Sequence, residues 1–431
     1  MNDFRGWAEE QDAVDPLARF RDRFVTDPTT PEASANSDGR APSAPIYFDG
    51  NSLGRLPKAT RARLHAAIDD EWATELIRGW EHWIDLARRA GDVLAEGVLD
   101  AAAGEVTLSD STTVNLYKLA SAALDARPDR RVIVTDDDNF PTDRYVLEGL
   151  AAARGLHLRL VPTDIDDGLD PAELAAALDD DVALVCLSHV AYRSGARADL
   201  VAITEAAHRV GALMLWDLSH SAGSVPVPLR ASGADLAVGC TYKYLNGGPG
   251  APAFLFVRAD LQATLRQPIW GWFGQRDQFA MGAGYDPVES IERFLVGTPP
   301  VLGAYGALEG ARITSEAGVP ALAAKGAALA QYTMELSDAW LGDFGVRVAT
   351  PRDPARRGSH VSLHHPRAWQ LCQAWKAAGV IPDYRTPERV RIGLAPLYTR
   401  FVDVHDAMAR LREILVTSAY EAFPATPGRV T

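Results

Sequence analysis

Two residues with complementary chemistry stand close together in the chain. Asp217 closes the apolar run ALMLW, and Lys243 follows the run LAVGC, flanked by Tyr242 and Tyr244 and trailed by Gly247 and Gly248. Short apolar runs that end in turn residues read as buried strands, so the carboxylate and the amine both sit where strands end. Open α/β folds place their chemistry at that edge.

A carboxylate and an amine at two strand ends suit pyridoxal 5'-phosphate, which takes an amine for a Schiff base and an anion beside its ring nitrogen. Asp217 would keep that nitrogen protonated, and Lys243 would carry the cofactor and shuttle a proton. As an isolated pair, the two residues are better explained as a strand-end cap and a solvated lysine. Trp216, His220, Tyr242 and the glycines crowd the same strand ends, however, and a solvated lysine needs none of them.

The elements that must position this pair are legible on either side of it. From Arg131 the order is RRVIVT, DRYVLEGLAAARG, LHLRLVP, DPAELAAAL, VALVCLSHV, DLVAITEAAHRVG and ALMLWDL. This alternation of strand and helix patterns predicts a mostly parallel sheet with helices on both faces. Right-handed crossovers bring the strand ends to one edge, where Phe140, Asp143, Ser188, Asp217, His220, Tyr242 and Lys243 would meet. SDSTTVNLYKLASAAL, starting at Ser109, reads as a capped helix start; capping by itself explains Thr112 and Thr113, and a bound phosphate would use the same exposed donors. Helical patterns are also expected within DPLARFRDRFV near the start, after Pro57, and from about 301 to 343. Trp72, Ile77, Trp80, Trp83 and Ile84 read as core or subunit-interface residues. We divide the chain into an N-terminal arm over 1–55 with a flexible loop at 26–45, a large cofactor-binding domain over 56–315, and a small C-terminal domain over 316–431.

Composition narrows the function classes. The chain has 431 residues, 47% of them hydrophobic, and a formal charge of -14, which argues against nucleic acid or an anionic membrane as partner. Three separated cysteines, Cys186, Cys240 and Cys372, fit reduced thiols of a cytoplasmic protein, and no apolar stretch approaches the length that spans a bilayer. No metal-type Cys/His spacing, Walker sequence, GxGxxG or GxSxG occurs.

From about Phe48 onward the sequence resembles kynureninase. The resemblance is carried by FDGNSLGRLPK, STTVNLYK, NFPTD, LSHVAYRSG, WDLSHSAG, TYKYLNGGPG, GWFG, GTPP and RIGLAPLYTRFVDV, all in order. It implies a fold type I pyridoxal phosphate enzyme that hydrolyses kynurenine, or a ring-substituted analogue, to an anthranilate and alanine. It further implies that Lys243 binds the cofactor aldehyde, that Phe140, Asp143, Ser188, Asp217 and His220 surround the ring, and that Thr112, Thr113, Tyr242, Trp272 and Thr298 serve the phosphate side. Some of these would come from a second subunit, which implies a homodimer. Arg391 would clamp the substrate carboxylate, with Asn51 beside it, and Tyr242 is the candidate proton donor and acceptor. Gln275 and Thr298 stand where some members have histidine and asparagine, which bears on the choice between kynurenine and its 3-hydroxy form. The competing readings are a desulfurase or aminotransferase of the same fold, and a cofactor-binding protein without turnover.

Overall fold

The computed structural model describes residues 3–26 and 45–428, so the loop expected at 26–45 lies outside the described residues except at its two ends. Seven strands form the main sheet: β1 (Val106–Ser109), β2 (Val132–Asp136), β3 (His157–Val161), β4 (Val182–Ser188), β5 (Leu213–Asp217), β6 (Leu236–Gly239) and β7 (Ala253–Val257). Their order is β1-β7-β6-β5-β4-β2-β3. All neighbours pair in parallel except β7, which is antiparallel to both β1 and β6.

The strands of the sheet's centre are buried on both faces, and their period of two sorts the side chains into two cores. Val134, Val185, Met214, Trp216, Ala237 and Phe254 enter one core. Ile133, Leu184, Cys186, Leu215, Val238 and Leu255 enter the other. The second core is closed by helices α1 (Thr112–Asp125) and α2 (Pro141–Arg154), the first by the helix at Leu86–Gly97 together with α3 (Leu200–Arg209) and α4 (Val301–Ala317). Each crossover helix starts where the sequence supplies a stop for the strand and a cap. Ser111 Oγ accepts from the Val114 amide at 3.3 Å, Pro141 opens α2, and Asp199 accepts from the Ala202 amide at 3.0 Å.

The helical stretch expected from 301 to 343 is two helices, α4 and α5 (Val319–Trp340), because Gly318 takes a φ of +80° between them. A second sheet uses β8 (Arg347–Val348), β9 (His360–His364), β10 (Asp383–Arg385) and β11 (Arg389–Gly393) in the order β8-β9-β11-β10. Against it pack α5, α6 (Ala368–Ala377) and α7 (Phe401–Val416). The N-terminal arm belongs to this layer: Ile46–Tyr47 pairs with Val380–Ile381, and both carboxylate oxygens of Asp12 accept the first amides of α7, at 2.8 and 3.0 Å.

Two expectations near the N-terminus need correction. The first helix is Phe4–Ala13, capped by Asp3 at the Gly6 amide, and DPLARFRDRFV keeps only a turn at Ala18–Arg21. Pro16, which has no amide hydrogen, separates the two. The long helical pattern expected after Pro57 is broken into α (Lys58–Ala66), π (Ala67–Glu75) and 3-10 (Leu76–Gly79) segments, along which Ala67 is core and Leu64 packs against it. Trp72 is 59% and Ile77 77% exposed, while Trp80 and Trp83 are half-buried. Among the described residues no helix is long and apolar enough to cross a membrane.

Helix α4 reaches the lysine loop only through glycine. A Cβ at Gly310 would fall 1.9 Å from the Leu245 carbonyl oxygen, and one at Gly306 would fall 2.4 Å from that of Gly247. Gly310→Ala should therefore destabilise the protein by about 1–3 kcal/mol, read from urea unfolding. An unchanged midpoint would mean the helix can withdraw from the loop freely.

Candidate active site

Because β1 and β6 are both antiparallel to β7, every strand except β7 points its carboxyl end to one edge. Ser188 and Asp217 end β4 and β5 as register partners, and Lys243 follows the end of β6 by four residues. Lys243 Nζ lies 3.4 Å from His220 Nε2 and 5.8 and 6.0 Å from the ring centres of Phe140 and Tyr242. Burial, helped by the Lys243 charge, holds the His220 imidazole well below its usual range, so the ring next to the amine is neutral. Among the described residues no carboxylate lies within ion-pair distance of Lys243.

Asp217 is buried, and its Oδ1 accepts from the Ser219 amide at 2.8 Å. Close to it lies Asp143, on the first turn of α2, whose Oδ2 is buried with no donor facing it. Burial first, and then the charge of Asp217, raises the Asp143 carboxyl well above the usual carboxylate range, so Asp143 keeps a proton and donates it toward Asp217. The pair therefore carries one negative charge.

Three further contacts set the walls. Ser188 Oγ donates to Asn139 Oδ1 at 2.7 Å, and that oxygen also accepts the Phe140 amide at 2.7 Å. The Phe140 ring, half-exposed, meets Tyr192 edge-on at 5.3 Å. The Tyr242 phenol is raised by the Cys240 side chain beside it and by burial, so it is protonated at neutral pH. Helix α1 begins on the same edge, after β1. Ser111 caps it, while the Thr112 and Thr113 hydroxyls have no hydrogen bond among the described residues.

Arg391, in the middle of β11, is 1% exposed. Its guanidinium donates to Asp383 on β10, to the Tyr192 carbonyl, and to Ser52 Oγ at 3.1 Å. With its amide oxygen turned inward, Asn51 accepts from Arg391 Nη2 at 3.3 Å and Nε at 3.2 Å. Gly393 makes room for the Asn51 side chain, since a Cβ there would fall 2.0 Å from its amide end.

The structure thus gathers Phe140, Asp143, Ser188, Asp217, His220, Tyr242 and Lys243 on one edge and joins Asn51 to Arg391. It does not bring Trp272 and Thr298 to that group. Both are exposed, and the Trp272 indole donates to the Gln278 carbonyl at 2.6 Å. Gln275 is occupied within the same loop, accepting from the Asp286 amide at 2.8 Å. Sequence reasoning missed Asn139, Tyr192, Ser52 and Asp383. Asn139 and Tyr192 lie inside motifs already noticed, whereas nothing local marks Asp383 as the partner of an arginine.

The donor set fits pyridoxal 5'-phosphate. An amine without an anionic partner, a buried carboxylate with a protonated neighbour, a half-exposed aromatic face and a helix start with free hydroxyls are what an aldehyde, a ring nitrogen, a π-system and a phosphate require. The fold matches solved cysteine desulfurases. The apo enzyme from Thermococcus onnurineus NA1 superposes with a TM-score of 0.76 at 21% identity, covering 86% of this chain and 95% of that one. The Escherichia coli enzyme gives 0.76 at 16%, covering 94% and 99%. Fold and strand-end residues together define a fold type I pyridoxal phosphate enzyme. A model of the kynureninase C-terminal domain matches residues 322–411. Kynureninases of Burkholderia pseudomallei (strain 1106a) and Pseudomonas fluorescens are each 44% identical, over 95% and 94% of both chains respectively. The chain belongs to the kynureninase family.

The turn leading to Phe140 carries a pH-dependent strain. Asp136, at the end of β2, is pushed up to about 7 mainly by burial. A carboxyl raised above its unfolded value supports the fold while protonated, and that support is lost as pH rises from about 4 through 7. Asp136→Asn should change stability little at about pH 4 and raise it at about pH 8, by an amount on the order of 1 kcal/mol or more. Equal thermal shifts at both pH values would refute this assignment.

Proposed function

We propose that the residues on this edge divide the family's reaction among themselves. The chain is a hydrolase acting on a carbon–carbon bond next to a ketone: with pyridoxal 5'-phosphate as cofactor it splits L-kynurenine into anthranilate and L-alanine. The observation that carries this is near full-length identity of 44% to kynureninases, joined to a Lys243 amine that faces neutral His220 at the same sheet edge as Asp217. When bound, the cofactor would supply an electron sink for the negative charge that develops at the substrate's α- and β-carbons, both on the alanine side of the breaking bond.

Lys243 attaches the cofactor and moves the substrate's α-proton. Asp217 holds the proton on the ring nitrogen, and Asp143, itself neutral, orients Asp217 without adding a second charge. Phe140 and His220 flank the ring, and Ser188 supports it from the end of β4. Thr112, Thr113 and Tyr242 take the phosphate side, and Tyr242, protonated at rest, gives and recovers a proton at its phenol oxygen. Arg391 and Asn51 bind the substrate's α-carboxylate, a planar anion that a guanidinium meets with two parallel hydrogen bonds. We take 56–315 as the cofactor-binding unit and 316–431 as the unit that brings Arg391. The free, buried cysteines support a cytoplasmic protein.

The same cysteines weigh against a desulfurase, which needs an accessible thiol: Cys372 is fully buried in α6. An aminotransferase would need an oxo acid. Fluorescent anthranilate should therefore form from kynurenine with no oxo acid present. Asp217→Asn should lower turnover at least about 100-fold, whereas Asp143→Asn, which keeps a neutral donor, should stay within about tenfold of the parent. Equal losses in the two variants would show that Asp143 does not hold the proton.

Trp272 and Thr298 are exposed on the same chain whose 68–84 segment exposes Ile68, Trp72, Leu76 and Ile77. We read these as one subunit interface, with Trp272 and Thr298 of each subunit completing the site of the other. Mixing Lys243→Ala subunits with Trp272→Ala/Thr298→Val subunits should then restore about a quarter of the parent activity, since half of the dimers carry one intact site. Absence of any recovery after subunit exchange would refute a shared site.

A further inference from the structure

Lys118 is a buried cation that the reaction does not use. On the inner face of α1, it is 0% exposed, and its ammonium spends all three donors at 2.8 Å: on Ser109 Oγ, on Asp110 Oδ2 and on the Phe294 carbonyl oxygen. Two of these partners belong to the turn that launches α1. Asp110 has a φ of +40°, in the left-handed region that residues with a side chain seldom occupy, and Ser109 Oγ donates to its carboxylate at 2.7 Å. The next residue, Ser111, is the cap of α1. The third partner lies elsewhere in the chain. Phe294 is buried at the end of a 3-10 turn, and the strip after it holds Thr298, while the Val296 carbonyl accepts the Phe273 amide at 3.2 Å, next to Trp272.

We propose that Lys118 is a positioning residue for the phosphate end of the cofactor site, holding the 109–111 turn in its left-handed form and tying it to the strip that bears Thr298. One ammonium thereby sets the first turn of α1 for its own site and the height of the 294–298 strip, which serves the site of the other subunit. A methionine would fill the same space and hold neither segment. This rests on the reading of the α1 start as the phosphate site.

The test compares pyridoxal 5'-phosphate with pyridoxal, which lacks the phosphate, on the full-length chain, following the visible absorbance of the Lys243-bound aldehyde. Lys118→Met should weaken pyridoxal 5'-phosphate by about tenfold or more while pyridoxal stays within about twofold, because only the phosphate end has moved. Asp110→Asn/Lys118→Met removes both charges and keeps the comparison available if the single variant folds poorly; it should show the same selective loss. The idea is overturned if the double variant binds the phosphorylated cofactor like the parent, since Lys118 then merely neutralises Asp110, or if both ligands weaken together. Thr112→Val/Thr113→Val separates this failure from failure of the phosphate reading. If the threonine variant loses discrimination and the lysine variants keep it, only the role of Lys118 falls; if all keep it, the phosphate reading falls too.

Discussion

Two carboxylates buried against each other cannot both ionise, and the site is built around that constraint. Asp143 retains its proton, so the pair offers a single negative charge, in an apolar setting where that charge acts strongly on whatever faces it. Among the described residues, the opposing charge, Lys243, has only the neutral His220 within hydrogen-bond distance. A cationic His220 would set a like charge beside Lys243, and an anionic Asp143 a like charge beside Asp217. Burial governs both protonation states, so the packing of the sheet's edge is itself an electrostatic device.

That packing comes from the sheet. Ser188 and Asp217 are neighbours because β4 and β5 are in register, and Phe140 is aimed by a loop that Asn139 clamps to Ser188. The lysine loop is fixed from the other side by α4, whose glycines let helix and loop backbones touch. Such rigid supports matter because a loosely held catalytic group loses rate quickly with small displacements.

The second sheet contributes a buried arginine. Arg391 is buried with Asp383, Ser52, Asn51 and the Tyr192 carbonyl around it, drawn from the N-terminal turn, the main sheet's edge and the small sheet. Burying a guanidinium in this way is costly unless its hydrogen bonds are satisfied. What it secures is orientation. The arginine's fork is held fixed, and the three segments that hold it are locked to one another.

Much of the main sheet was legible in the sequence because its signals are local. Apolar runs such as LMLWD and LAVG, crossover helices with capping residues, and glycines at the turns state strand, helix and edge without reference to anything distant. Lys243, Asp217 and the helix start at Thr112 were found on that basis, and the family motifs around Phe140, Ser188 and Arg391 supplied more. Other features depend on which segments meet. No pattern near Asp383 announces a partnership with Arg391, and the motif that holds Ser52 marked only its neighbour Asn51, because the Ser52 contact joins residues 339 positions apart. The exposure of Trp72 and Ile77 was likewise not decidable from hydrophobicity, which fixes a preference for burial but not the surface against which it is met. The sequence by itself determined the main sheet's strands, the turns that end them and the candidate residues placed there, since each follows from a few neighbouring side chains. Only the tertiary structure decided which carboxyl keeps its proton and which groups hold the arginine, because desolvation and long-range contacts exist only once the chain is packed.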